Sequence, residues 1–223
     1  MINTKLKVQD IRKMFKTAYD NQEFTIDRTG AKTIEIIGAT FEADEDHIVR
    51  SPVYEYIIRE LEWYKSQSLF VKDIPGKTPA IWEAVSSKDG KINSNYGWCI
   101  YSEDNGSQYK NVVNELKKNP DSRRATMIYN RPSMHYDFNQ DGMNDFMCTF
   151  ANSFFIRDDE LHSHYIMRSN DSVFGYNNDY AWAKYVQNQL AYDLCVRPGK
   201  LIWTASNLHV YERHFNQLEE MNV

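Results

Sequence analysis

The sequence predicts an α+β fold, a mostly buried sheet covered by helices, built as one domain over residues 1–223. Three observations predict it. Segments with apolar residues at helical spacing are interspersed with β-branched and aromatic runs, without the regular alternation of βαβ units. No internal repeat, low-complexity tract or Pro/Gly/Ser linker divides the chain. A chain of 223 residues can bury roughly 70% of the surface exposed when unfolded, so its core needs no metal or disulfide staple.

The first helix is expected from Val8 to Tyr19, with Ile11, Met14, Phe15 and Ala18 on one stripe. A turn at Asp27–Gly30 precedes a strand, Thr33–Thr40, where β-branched residues dominate. The next helix covers Val53–Tyr64, with Tyr56, Ile57, Glu60, Leu61 and Tyr64 on one face. Thr78-Pro79 reads as N-cap and first turn of a short helix through Trp82. An amphipathic helix from Ser107 stops at Lys118, before Asn119-Pro120. Strands follow at Thr126–Tyr129, Asp145–Ile156 and Leu161–Arg168. Val173–Leu194 reads as one long, mostly buried helix, and a last strand, Leu201–Ala205, leads into a C-terminal helix.

Composition excludes several function classes. The 31 acidic against 26 basic side chains give a net charge of −5, which argues against direct nucleic-acid binding and against an anionic membrane surface. A local basic pocket for a small phosphate is compatible with it. Cys99, Cys148 and Cys195 form no CxxC pair, so the expectation is free thiols in a reducing, cytoplasmic compartment and no zinc site. The segment MINTKLKVQDIRKMF carries charges throughout and lacks the apolar core of a signal peptide. No apolar stretch reaches the ~18 residues that span a bilayer.

Some familiar motifs begin and fail. DFNQDG at Asp137–Gly142 starts a calcium loop, but its twelfth position, where a bidentate carboxylate is needed, is Cys148. His162 and His164 share a strand face without a third ligand, so no metal is expected. GxGxxG, GxxxxGK and GxSxG are absent.

The residues able to do chemistry are few. Cys148, in DFMCTFANSFFIRD, shares a predicted strand face with Phe146, Phe150 and Phe154. A cysteine among phenylalanines is either a small buried hydrophobe or, beside positive charge, an activated thiolate. Arg28, Arg123-Arg124 and Arg168-Ser169 offer that charge and could form a phosphate cradle, although taken alone they read better as surface ion pairs.

Further context comes from resemblance. DRTGAKTIEIIGATF, RELEWY, INSNYGWCIYSEDN, NPDSRR, the Cys148 segment, MRSNDSVFGYNNDYAWAKY and NLHVYERHF occur in this order between Asp27 and His214. Together they resemble the thymidylate synthase superfamily, and within it the members that act on deoxycytidylate. The resemblance implies a sheet-to-sheet homodimer and assigns roles by position. Cys148 falls on the nucleophile that adds to pyrimidine C6, and Arg28, Arg168 and Ser169 on the phosphate site. Arg123 and Arg124 fall on the pair lent to the neighbouring subunit's phosphate site. Glu60 matches the glutamate that manages proton traffic, and Tyr96 lies beside the nucleophile. Trp82, Asp171 and Gly175 belong near the folate, and His209 and Tyr211 meet the sugar hydroxyl. The implied co-substrate is 5,10-methylenetetrahydrofolate, with no metal; the implied setting is host cytoplasm for a phage enzyme, in or out of a nucleotide-synthesising complex.

Substrate choice turns on Asp179, in GYNNDYAW, where uracil-specific members carry asparagine. A carboxylate accepts from the N4 amino group of cytosine, and from N3–H if N3 is protonated; an amide suits O4 and N3–H of uracil. Asp179 reads otherwise as a helix N-cap before Tyr180–Leu190. Thr149 and Ser153 stand where synthases carry histidine and glutamine, which weakens the case for methyl formation. The expected reaction converts deoxycytidine monophosphate (dCMP) to 5-hydroxymethyl-dCMP. The alternatives are methylation of dUMP, hydroxymethylation of dUMP or CMP, and an inactive scaffold subunit.

Overall fold

The computed structural model describes residues 5–27 and 30–223. Among them eight α-helices and seven strands, paired in both parallel and antiparallel senses, make an α+β chain. In chain order the elements are α1 (Val8–Asp20), β1 (Thr25–Ile26), β2 (Lys32–Glu42), α2 (Tyr54–Ser66), α3 (Ala80–Val85), α4 (Tyr96–Tyr101) and α5 (Gln108–Lys118). β3 (Thr126–Ile128), α6 (Met134–Asp137), β4 (Thr149–Arg157), β5 (Glu160–Met167) and β6 (Asn170–Asp171) follow. The chain closes with α7 (Gly175–Asp193), β7 (Arg197–Tyr211) and α8 (Phe215–Glu219). They divide into two compact units, one formed by residues 1–52 with 156–223 and the other by 53–155.

In the first unit β7 is the central strand. It pairs antiparallel with β2, parallel with β5 and, further along, parallel with β6, while β1 pairs antiparallel with β2. Gly38 adopts φ +71° at the unpaired step between Ile37↔Asn207 and Ala39↔Ala205; the β2–β7 register is the same on both sides, but the buried positions of β2 change phase across it. A side chain there is strained, so the step needs glycine. Behind the strands, Trp203 of β7 stacks on Tyr165 of β5 at 4.7 Å, and Tyr176 of α7 meets Trp203 edge-on at 5.1 Å. Each such pair adds about 0.5–1.5 kcal/mol beyond the area it buries. Val8, Ile11 and Phe15 bury the inner face of α1.

The second unit is organised by aromatic rings. Trp82 meets Trp63 edge-on at 5.1 Å, Trp63 stacks on Tyr64 at 5.4 Å, Tyr64 stacks on Tyr96 at 5.2 Å, and Tyr96 meets Tyr129 edge-on at 5.4 Å. This ladder ties α2, α3, α4 and the end of β3 together. Helices α2 and α4 cross where Gly97 lies against the Tyr64 carbonyl. A Cβ at residue 97 would sit 1.7 Å from that oxygen, so no other residue fits without moving backbone.

Several expectations need correction. Cys148 precedes β4 instead of lying inside a strand from Asp145, because backbone N–H groups of Asn93 and Ser94 hold the Asp145 carboxylate and keep that stretch irregular. Phe150, expected to share a face with Phe154, is 39% exposed while Phe154 is buried, since the buried positions change phase between Thr149 and Asn152. The last strand runs from Arg197 to Tyr211, well beyond Leu201–Ala205. Ser206 and Asn207 break its apolar pattern, but pairing with β2 carries it through them. Pro79 caps α3 and does not begin it. Met14 is exposed, leaving a narrower α1 stripe. Asp179 lies within the first turns of α7, whose N-cap is Phe174, so it is not an N-cap.

Candidate functional site

The first unit contains a cleft of about 360 Å3, lined by Asp27, Thr33, Glu35, Arg168, Ser169, Asn207, His209 and Tyr211. Strand registers explain the gathering. Thr33 faces Tyr211 and Glu35 faces His209 across the β2–β7 ladder, while β6 pairs Asp171 with His209. Arg168 and Ser169 link β5 to β6 and so enter the same cleft. Four residues expected at the phosphate and sugar are thus brought together. Arg28, expected with them, lies outside the described residues.

His209 is buried, with Nδ1 2.9 Å from Asn207 Oδ1. Burial holds its pKa below the ordinary histidine value, against the opposing pull of Asp171 and Glu35. A neutral ring donating from Nδ1 to that amide oxygen leaves Nε2 as an acceptor, suited to a hydroxyl donor. The Tyr211 ring meets the imidazole edge-on at 4.8 Å. Cation and hydroxyl at one side, with imidazole and phenol at the other, can hold an anion and a sugar-like hydroxyl together. Asp27, Thr33, Glu35 and Asn207 were missed from sequence, although the β2–β7 pairing of two motifs could have found the last three.

Beyond the cleft's edge, Asp171, Gly175 and Asp179 form a second group. Asn170, 2% exposed, donates from Nδ2 to Asp179 Oδ2 at 2.9 Å. Asp171 Oδ1 accepts the Val173 N–H at 2.9 Å and fixes the turn into α7. A Cβ on Gly175 would lie 3.4 Å from Asn170 Nδ2 and 3.8 Å from Asp179 Oδ2, so glycine lets this backbone come close to the pair. Asn170 carried no role in the sequence reading, since a lone Asn after Arg-Ser looks like a turn residue.

In the second unit, Glu60 is buried one helical turn after Tyr56 on α2. The Tyr56 hydroxyl donates to Glu60 Oε1 at 2.5 Å, and the Trp82 indole N–H donates to Tyr56 Oη at 2.8 Å and towards Glu60 Oε1 at 3.4 Å. Burial pushes the Glu60 carboxyl up to about 7, while the Tyr56 and Trp82 hydrogen bonds pull it back. A carboxyl poised there both gives and takes protons at neutral pH. Tyr56 itself is raised, by burial first and then by the Glu60 charge.

The direction of one test follows. Tyr56→Phe removes a donor that favours ionised Glu60, so the Glu60 midpoint should rise from about 7 by roughly one pH unit. Carboxyl-carbon NMR titration reads it directly; an unmoved or lowered midpoint contradicts the assignment.

Cys148 is half-buried at the entry to β4, with Sγ 3.8 Å from the Phe146 carbonyl oxygen. The stretch before it is stapled down by Asp145, whose Oδ2 accepts the N–H groups of Asn93 at 2.7 Å and Ser94 at 2.8 Å. Its Oδ1 accepts the Ser94 hydroxyl at 2.7 Å. Arg131 completes the staple, reaching Asn93 Oδ1 at 3.1 Å and Asp137 at 2.8 Å. The same 93–95 segment caps α4, where Asn95 Oδ1 accepts the Trp98 N–H at 2.8 Å, so Cys148 and Tyr96 are positioned from one anchor. The other thiols differ: Cys99 is buried and pushed up to about 12 by that burial, and Cys195 is exposed.

Arg123 and Arg124 stand exposed in the turn between α5 and β3, Arg124 paired with Glu115 at 2.9 Å. Asp137, first residue of the failed calcium motif, is committed to Arg131 and Ser133. His162 Nδ1 accepts the Lys200 N–H, and His164 Nε2 meets the Thr204 hydroxyl. Among the described residues no group of three or more His, Cys, Asp or Glu is placed to hold a metal ion, and no helix is long and apolar enough to cross a membrane.

The first unit thus gathers Arg168, Ser169, His209 and Tyr211 in one cleft, and the second holds a buried glutamate near neutrality. The chain belongs to the thymidylate synthase family, whose sequence profile matches residues 9–222. It is 54% identical over 222 residues to the deoxycytidylate 5-hydroxymethyltransferases of Enterobacteria phages T4 and T2, covering 96% of this chain and 90% of theirs. The thymidylate synthase of Bacillus mojavensis is 25% identical over 227 residues, 94% of this chain and 79% of that one.

Proposed function

We propose that this protein is an enzyme that hydroxymethylates C5 of dCMP, with 5,10-methylenetetrahydrofolate and water as co-substrates, giving 5-hydroxymethyl-dCMP and tetrahydrofolate. The observation that carries this reading is the 54% identity, along nearly the whole chain, to relatives bearing the name of that activity. Residues 1–223 act as one catalytic domain in this reading, working in a host cytoplasm.

Each residue takes the part that the family resemblance implies, and its chemistry suits that part. Arg168 and Ser169, with Arg28, hold the phosphate by charge-assisted hydrogen bonds. His209 and Tyr211 hold the sugar hydroxyl. C5 of a pyrimidine is a weak nucleophile until the Cys148 thiolate adds at C6 and pushes an electron pair onto C5. C5 then forms its bond to the incoming carbon and releases its proton. That carbon's two bonds to folate nitrogens would break, the nitrogens taking up the C5 proton and one from water, so that tetrahydrofolate leaves. Water's oxygen bonds to the new exocyclic carbon as the C6–S bond breaks, and the ring and the thiolate are both restored. Glu60 moves protons between the base and ordered water, and Tyr96 positions the reacting carbon beside the thiolate. Asp179 accepts the N4–H edge of cytosine.

When bound, the folate supplies a one-carbon unit at the oxidation level of formaldehyde. The chain offers groups that fit it: Trp82 gives a partly exposed indole face, Asp171 a carboxylate acceptor, and Gly175 a backbone without a side chain in the way.

A homodimer is supported by the first unit's sheet. Thr40, His164, Ile166, Ile202 and Thr204 leave a partly exposed face, with the Thr204 hydroxyl hydrogen-bonded to both Thr40 and His164 and Ile37 72% exposed. A second copy would cover it, and Arg123 and Arg124 would serve the neighbour's phosphate. A monomer in sedimentation at assay concentration would remove this part of the reading. A nucleotide-synthesising complex is a further expected partner.

The reaction itself is tested by mass spectrometry of the nucleotide formed from dCMP and methylenetetrahydrofolate. Hydroxymethyl and methyl products differ by one oxygen. The oxygenated product is expected; a methyl product, or unchanged dCMP, rejects the proposal.

A further inference from the structure

Asn170 is buried at 2% exposure on the short strand β6, yet only half of its amide is accounted for by protein. Nδ2 donates to Asp179 Oδ2 at 2.9 Å, whereas the buried Oδ1 has no hydrogen-bond partner among the described residues. An unmet buried acceptor costs about 1–3 kcal/mol. An isosteric leucine would avoid that cost, so core stability alone gives no reason for asparagine here. The amide's orientation is informative. Rotating it by 180° would set Oδ1 against the carboxylate oxygen, acceptor facing acceptor. A donor on one carboxyl oxygen favours the ionised form of Asp179, which accepts at both oxygens, over the neutral acid, which donates from one of them. Gly175 adds to the constraint, because its backbone closes over both side chains with no Cβ between.

That state matters for choosing a base. A neutral carboxylic acid at Asp179 could donate its O–H to O4 of uracil and accept from N3–H, mimicking an amide. An acceptor-only carboxylate faces O4 with like partial charge, while it still takes the N4–H of cytosine. We propose that Asn170 is a specificity-determining positioning residue: its amide holds Asp179 in the acceptor-only state and orientation that admits cytosine and rejects uracil. This rests on the reading that Asp179 meets the base.

The test is a competition. Wild type, Asn170→Leu and Asn170→Gln, each as the full chain, receive mixtures of C5-tritiated dCMP and dUMP with the folate, and tritium release from each is compared. Because both nucleotides compete for the same molecules, the ratio is independent of how much variant is folded. Asn170→Leu removes the donor with similar volume and should cut the preference for dCMP by about tenfold or more. Asn170→Gln, which keeps an amide donor, should restore part of it. An unchanged ratio in Asn170→Leu overturns the proposal. Asp179→Asn in the same assay separates the two ideas: if it shifts the ratio while Asn170→Leu does not, only the role of Asn170 falls. If neither variant shifts the ratio, the Asp179 reading fails with it.

Discussion

Replacing Cys148 by alanine is expected to abolish product formation and tritium release from C5-labelled dCMP, a loss of at least about a thousandfold. Nothing else in the second unit can take over. Cys99 is buried and its thiol is held protonated by that burial, so it offers no thiolate at neutral pH. The variant should fold. Cys148 is small and half-buried at the edge of β4, and the Asp145 carboxylate that shapes its surroundings is held by Asn93 and Ser94. An unchanged melting curve beside an inactive enzyme is the expected pair of results. Tritium release that survives the substitution would mean that C5 is activated by some group other than this sulfur.

Asp179→Asn should produce the second largest change, a swing of about a thousandfold or more in relative kcat/KM from cytosine towards uracil nucleotides. The amide can donate to O4 and accept from N3–H, which the carboxylate cannot do together. The neighbouring contact survives, since the new amide oxygen can still accept from Asn170 Nδ2, at 2.9 Å from the present Oδ2. The swing therefore isolates base recognition from local packing. Parallel kcat/KM measurements on dCMP and dUMP check it, and equal losses on both would remove Asp179 from the specificity site.

Much of this was legible in the sequence where local chemistry is strong. Helices α1, α2, α5 and α7 follow apolar spacing closely enough that their bounds moved by only one or two residues. Legibility failed where tertiary contacts overrode the pattern. β7 continues through polar Ser206 and Asn207 because β2 supplies hydrogen-bond partners, which no local window can see. Cys148 sits outside its strand because a carboxylate three residues earlier is held by distant backbone. For the site, motif order pointed to Arg168, Ser169, His209 and Tyr211, and strand register gathers them in one cleft. Tyr56 and Asn170 could not be read that way. Their interest lies in single hydrogen bonds to Glu60 and Asp179, and a lone tyrosine or asparagine in sequence gives no sign of its partner.

The covalent step can be caught with 5-fluoro-dCMP. Fluorine cannot leave C5 as a proton does, so a nucleotide attached at C6 and joined to the one-carbon unit at C5 cannot resolve. After incubation with methylenetetrahydrofolate and denaturation, peptide mass spectrometry should find one nucleotide and one folate on the peptide containing Cys148. Unmodified protein, or the same mass on the peptides of Cys99 or Cys195, would contradict a mechanism that runs through the Cys148 sulfur.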